Sequence, residues 1–390
     1  MITPDSAASN HTASNHTASN HTAPNPAAST PRPRRVLVTG ATGYIGSRLI
    51  PRLLRDGHHV RAAVTNLERA RTAWWADDVE LVRMDVLDSA TVEAAVEGMD
   101  AVYYLIHALK GEDFTTTDRI SAENMAWAVA AAGVELLVYL SGLVPDVPEN
   151  ELSEHITSRL EVERILTGAT AGIRVLTLRA AIVTGSGSTS FEVVRQISER
   201  MPVHTVPAWM DSRVQPIAVV DVVEALSGAL AVESESRSYD VGGPERMPYT
   251  QLLDRYARIA GLTRPQVTVP GLPTDVVAVL AGAITDVPGS TVPALVESLH
   301  HDMVCHDVDW TYDLLPEGYE LVGVDESFAR ALREPDLTLP PEERDPLGPM
   351  PGDPAWAGGS GTTTGGVGAV MAGARSVVSG LAGRMLPGRG

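Results

Sequence analysis

Cysteine is almost missing: Cys305 is the only one in 390 residues. An intrachain disulfide and a cysteine metal cluster are both excluded, which fits a reducing compartment. A lone cysteine reads first as a small buried hydrophobe. Lysine is as scarce. Of 30 Lys and Arg residues, Lys110 is the only lysine. The formal net charge of −19 argues against nucleic acid as a partner. No run of about 20 apolar residues occurs, so no ordinary transmembrane helix is expected. The first residues hold no charged segment leading into an apolar stretch. No signal peptide is expected, and the expected location is cytoplasmic.

Both ends are compositionally poor. Residues 1–34 contain ASNHT three times in tandem, followed by a Pro-rich segment. Such a segment buries too little apolar surface to offset the entropy of ordering and is expected to be a disordered tail. Its Asn-His-Thr triplets match a glycosylation acceptor, a match without content if the chain is not secreted. His11, His16 and His21 offer at most weak metal chelation, and no metal site is expected elsewhere. Residues 331–390 are expected to be a mostly disordered tail, with 335–365 rich first in Pro and acid, then in Gly and Thr. Within 366–386, Val367, Val370, Met371, Ala374, Val378, Leu381 and Met385 fall at helical spacing. That segment reads either as a weak interfacial helix touching membrane or as a loose tail; its five glycines favour the tail.

Between the tails the chain alternates. Short apolar runs at 35–40, 60–64, 80–84, 101–106, 136–140 and 174–178 are separated by helical patterns at 44–56, 89–97, 114–132 and 151–167. This predicts an α/β fold, a doubly wound Rossmann-type parallel sheet covered on both faces. A small C-terminal substrate lobe is expected from about 186–213 and 241–330, giving one domain over 35–330. Further helices are expected at 190–200, 222–232 (capped by Asp221), 250–261 and 274–284.

VLVTGATGYIG, residues 36–46, carries the strongest chemical signal. Gly40, Gly43 and Gly46 follow a strand and open a helix. They permit a tight turn, close approach of a pyrophosphate, and close packing of helix on strand. Thr42, Tyr44 and Ile45 complete the loop, whose helix N-terminus favours phosphate. Dinucleotide binding is the expectation. Asp85 and Val86 end the third strand, where a carboxylate and a backbone group can meet adenine; alternatively Asp85 only opens a loop. His107 ends the fourth strand as either a ligand contact or a solvated loop residue. The second strand ends in Thr65-Asn66, without the acid that would hold a ribose 2′-hydroxyl. Arg69 and Arg71 follow within reach of a 2′-phosphate. The cofactor is expected to be NADP(H) or NAD(H), leaning to NADP(H).

TGATGYIG, the Asp85-Val86 pair, YYLIHAL and YLSGL resemble the short-chain dehydrogenase/reductase superfamily. HITSRLEVERIL, SRVQPIAVVDVVEAL and YDVGGPE are similar to its atypical, NmrA-like or YbjT-like NAD(P)H-binding group, over about residues 35–330. The resemblance implies a cofactor at the sheet's carboxyl edge. In active members a Tyr-x-x-x-Lys pair supplies the proton and holds the ribose, and a Ser or Thr polarises the substrate oxygen. Here His155 and Arg159 stand in those places, and Ser141 stands near the third. Positions i and i+4 share a helix face. Arg159 can hold ribose hydroxyls, and His155 can exchange a proton near neutrality. Three readings stay open for HITSR: catalysis, contact without chemistry, or a plain amphipathic face.

Arg179, Trp209, Arg213 and Gln215 are candidate substrate contacts, though the arginines can equally pair with acids of the fold. The expected function is reduction of a small carbonyl or quinone-type substrate by an NAD(P)H-dependent oxidoreductase. The alternative is a non-catalytic NAD(P)(H) sensor or assembly factor with a protein partner. Nucleotide-sugar-type epimerase or dehydratase chemistry, which leans harder on the Tyr base, comes third.

Overall fold

A computed structural model describes residues 32–107, 113–169, 172–288 and 291–357. The ASNHT repeats and segment 366–386 lie outside the described residues. Six apolar runs form β1 (Arg35–Val38), β2 (His59–Val64), β3 (Glu80–Arg83), β4 (Ala101–Tyr104), β5 (Leu136–Gly142) and β6 (Arg174–Ala180). Helices α1 (Gly46–Arg55), α2 (Leu67–Ala70), α3 (Ser89–Val96), α4 (Phe114–Ala132) and α5 (Glu154–Ala169) connect them. The sheet runs β3-β2-β1-β4-β5-β6, and a seventh strand, Arg237–Val241, joins beside β6. Every pairing is parallel. Strand order reverses between β1 and β4, which opens a crevice at their carboxyl ends.

Period-two alternation decides which helix each strand residue meets. Val36 and Val38 pack with Leu49, Ile50 and Leu53 of α1. Leu37 turns the other way, toward Val92, Met125 and Val162 of α3, α4 and α5. After β6 come α6 (Thr189–Arg200), α7 (Val219–Gly228), α8 (Tyr249–Ile259) and α9 (Thr274–Ile284). Of these, α7 packs on α1 beneath the sheet. The others build the smaller lobe around Phe191, Tyr256 and Phe328.

Two expectations need correction. Asp221 does not cap a helix at 222. The helix starts earlier, at Val219, with Ala218 as its N-cap. Asp221 is fully buried and accepts from the Tyr319 hydroxyl (2.8 Å) and the Val322 amide (3.1 Å). It ties the 319–322 loop to the core, and burial pushes its carboxyl up to about 6. Second, the domain does not end at 330, and residues 335–357 are not loose. Leu347 is fully buried and its carbonyl accepts from the Ser186 amide at 2.8 Å. Asp345 forms a two-pronged pair with Arg330 at 2.8 and 2.9 Å. The physical reason is Arg48, a buried guanidinium on α1 that needs acceptors. Pro346 and Ser186 carbonyls and the Asp353 carboxylate supply them, each at 2.9 Å. Acid and proline, which suggested disorder, here serve as counter-charge and bend in a strap across the glycine-loop helix. Residues 237–241 complete the main sheet. Cys305 is buried, and burial pushes its thiol up to about 12, in keeping with a packing role. No described helix is long and apolar enough to cross a membrane.

Candidate active site

The turn after β1 has the shape its glycines demand. Gly40 sits at φ +61, and a Cβ there would meet Leu105 O at 3.1 Å. At Gly43 it would lie 3.0 Å from Gly40 O, and at Gly46 only 2.4 Å. Thr42 and Gly43 are exposed, and the helix N-cap Ile45 brings no side-chain cap. Uncapped N–H groups at the start of α1, behind an open glycine cradle, suit an anionic pyrophosphate. The residues present therefore fit a dinucleotide. Tyr44 turns its ring inward, with the Arg48 guanidinium 4.1 Å from its centre and its hydroxyl against Gly185. Any cofactor contact from Tyr44 is thereby left to its backbone.

Thr39 joins this turn to the end of β4. Its hydroxyl donates to Tyr103 O at 2.9 Å and accepts from the Leu105 amide at 3.0 Å. Two residues on is His107. Its Nε2 lies 3.1 Å from His155 Nδ1, and its Nδ1 lies 2.9 Å from Asp118 Oδ2. The two imidazoles meet edge to face, centroids 4.7 Å apart. Arg159 Nε donates to His155 Nε2 at 3.3 Å, and Ser158 Oγ donates to Asp118 Oδ2 at 3.1 Å. HITSR is thus no plain surface face: His155 meets His107 beyond the end of β4, Ser158 meets Asp118 of α4, and Arg159 meets His155.

Ser141, at the end of β5, is buried and opposite Arg179 in register. Its hydroxyl has no partner at hydrogen-bonding geometry among the described residues. Sequence reasoning missed Asp118 and Ser158. The available signal was a carboxylate on the apolar stripe of α4, in line with Ala122, Met125 and Val129, all buried.

Burial, then the Arg159 charge, lowers the proton affinity of His107. Burial, then Arg159 and His107, brings His155 down to about 3. Both imidazoles are neutral at physiological pH. A histidine depressed from 6.5 lends stability in full above 6.5, and that stability is lost as pH falls toward 3. From pH 7.5 to 5.0, His155 alone should cost about 2 kcal/mol. Urea midpoints at the two pH values should fall further for wild type than for His155→Gln. Equal falls would show that His155 is not held neutral.

The remaining candidates separate. Asp85 is exposed and its carboxylate accepts from the Leu87 amide at 3.0 Å, closing its own loop; Val86 O accepts from Asn124 at 2.8 Å. Asn66 caps α2 through the Arg69 amide, and the Arg69 and Arg71 residues are exposed beside it. Arg179 forks onto Glu163 at 2.6 and 3.0 Å. Gln215 is buried and bonds Gly243 O, Arg246 and the Cys305 amide. The structure commits both to holding the fold, not to a substrate. Arg213 is exposed, its amide bonded to Asp302. Trp209 stacks on His300, 4.1 Å between rings. His300 lines a cavity of about 220 Å³ with Ser153 and Ile156, which flank α5's first turn. Trp209 reaches this cavity only through His300, and His155 does not line it. A larger cavity, about 420 Å³ and lined by Arg35, His58, Arg61 and Glu80, opens at the opposite, amino edge of the sheet.

Fold, glycine cradle and the cluster beside it define a nucleotide-binding Rossmann protein. Residues 40–206 match the model of the NAD(P)H-binding family. It is 28% identical over 270 residues to a 3-diazoavenalumate denitrifying reductase from Streptomyces sp., covering 60% of this chain and 84% of that protein. Over 119 residues it is 33% identical to a 3 beta-hydroxysteroid dehydrogenase/Delta 5-->4-isomerase of Mycobacterium tuberculosis. That match covers 27% of this chain and 31% of the relative, so the chain spans about a third of its length. Among solved structures, a nucleoside-diphosphate-sugar epimerase from Staphylococcus aureus has a TM-score of 0.61 at 15% identity, covering 76% of this chain and 99% of that one. A UDP-glucose 4-epimerase from Thermotoga maritima has 0.58 at 18%, covering 76% and 97%. At these identities they share the fold.

Proposed function

We propose that this protein is an NAD(P)H-dependent oxidoreductase that reduces a small carbonyl or quinone-type substrate in the cleft between the α5 first turn and the lobe. The observation that carries this reading is the convergence of His155, Arg159 and His107 at the carboxyl edge, next to the glycine turn. The bound nicotinamide would supply the hydride. The chain's own residues do the rest. Gly40, Gly43 and Gly46 would admit the pyrophosphate, and Arg159 would hold ribose hydroxyls. Ser141, buried at the end of β5, is the candidate to polarise the acceptor oxygen. The reductase and dehydrogenase relatives support the reaction class. NADP(H) is the favoured form: Thr65-Asn66 brings no carboxylate, and exposed Arg69 and Arg71 suit a 2′-phosphate.

A second reading, a non-catalytic NAD(P)(H) sensor with a protein partner, is favoured by one observation. Both ring nitrogens of His155 are occupied, by His107 and Arg159, which leaves neither open to a substrate. Calorimetric titration with NADPH and NADH tests what the readings share. Arg159→Ala is expected to weaken binding about 10- to 150-fold, the worth of a charged hydrogen bond. Binding of neither nucleotide by wild type would end both readings. NADPH consumption with a panel of quinones and carbonyls then separates enzyme from sensor.

A further inference from the structure

Arg159 can donate hydrogen bonds but never accept one. Its bond to His155 Nε2 therefore requires that nitrogen to be bare. The His155 proton must then sit on Nδ1, facing His107 Nε2 at 3.1 Å. That nitrogen must also be bare, so the His107 proton sits on Nδ1 and points at Asp118 Oδ2, 2.9 Å away. Asp118 is buried and is the acceptor for His107, also receiving Ser158. One non-negotiable donor thus fixes both tautomers, and it fixes the Nδ1–H form, the less common one for a free neutral imidazole. Protonating either ring would set two hydrogens against each other somewhere along the line.

We propose that Asp118, His107 and His155 form a proton wire with Arg159 as its gate: with Arg159 on His155 the wire is closed, and when Arg159 turns to a cofactor's ribose hydroxyls the wire can load one proton and pass it to substrate. This rests on the oxidoreductase reading and names positions the Tyr-x-x-x-Lys pattern does not contain. One proton, and no electron, crosses the wire. In the loaded state the proton count is one higher, the extra proton entering from solvent through the cleft at His155 Nε2. Asp118 carries O–H donating to His107 Nδ1, His107 Nε2–H donates to His155 Nδ1, and His155 Nε2–H faces the cleft. Delivery to an acceptor oxygen moves each proton one place along and restores the state observed here. The loaded state is incompatible with Arg159 Nε on His155 Nε2, so nucleotide binding and proton loading are coupled. His107 and Asp118 act through His155 and are positioning residues.

The test uses the full chain labelled with ¹⁵N in its histidine rings. Two-bond proton–nitrogen correlations separate Nδ1–H, Nε2–H and doubly protonated rings. His107→Asn and His155→Asn assign the signals by their loss. In the free protein at pH 7.5, both rings should be neutral with the proton on Nδ1. Addition of NADPH, or of NADH if only that binds, should shift the His155 Nε2 signal away from its Arg159-bonded position and raise the Nε2–H population. Asp118→Asn can still accept from His107 but cannot carry a proton. It should keep the free-protein tautomers and lose the nucleotide-dependent rise. Nicotinamide fluorescence in the same samples reports binding. Binding with His155 already Nε2–H, or with its nitrogens unmoved, overturns the wire alone. Absence of binding overturns both the wire and the oxidoreductase reading.

Discussion

Arg48→Ala is expected to lower the free energy of unfolding by about 3–5 kcal/mol, the loss seen when one partner of a buried ion pair is removed. The Arg48 side chain is 1% exposed, and its Asp353 partner 12%. Alanine would strand that carboxylate together with the carbonyls of Pro346 and Ser186. The damage would spread, because the same strap seats Leu347 in the core and bonds Ser186. Arg48→Lys keeps the charge but not the planar fork and should recover only part of the loss. Removing Asp353 as well should cost less than the two single changes summed, since the pair acts as a unit. Urea unfolding of the four variants checks this. A loss below about 1 kcal/mol for Arg48→Ala would place the strap among ordinary surface contacts.

That prediction marks where sequence reading stopped. Strands β1 to β6 and helices α1 to α9, apart from the short α2, were legible because apolar period and turn residues are local properties. The helix at Phe114–Ala132 matched to the residue. The strap was not legible, since its order comes from a guanidinium some 300 positions earlier in the chain. A Pro- and acid-rich composition describes what a segment cannot bury by itself, not what a distant cation requires of it. Asp221 failed for a related reason: an acid before an apolar run suggests a cap, and nothing local shows the loop at 319–322 waiting for it. The candidate site was half legible. His155 and Arg159 share one helix face by spacing alone. That His107, 48 residues away, reaches His155 depends on the β4–β5 crossover, and Asp118 joins only because α4 packs on α5.

The second large effect concerns the cradle. Gly46→Ala is expected to reduce NAD(P)H affinity by at least about 100-fold, close to 3 kcal/mol. A Cβ at 46 would lie 2.4 Å from Gly40 O, 2.9 Å from Ala41 Cα and 3.1 Å from Ala41 O. All three are backbone atoms, so no side chain can swing aside. Helix α1 must back away from β1, or the turn must open, and either moves the amides meant for the pyrophosphate. Overpacking of this kind also costs about 1–3 kcal/mol of stability, so affinity must be read on folded protein. Gly43→Ala supplies the control. It is exposed, and its added Cβ meets only Gly40 O, at 3.0 Å. It should leave the urea midpoint near wild type while weakening the nucleotide by about 10-fold, because the methyl group fills the space the phosphate approaches. Circular dichroism and calorimetry on both variants decide the matter. If Gly46→Ala binds as wild type does, the glycine turn is a packing device, and the nucleotide site must be sought elsewhere along the carboxyl edge.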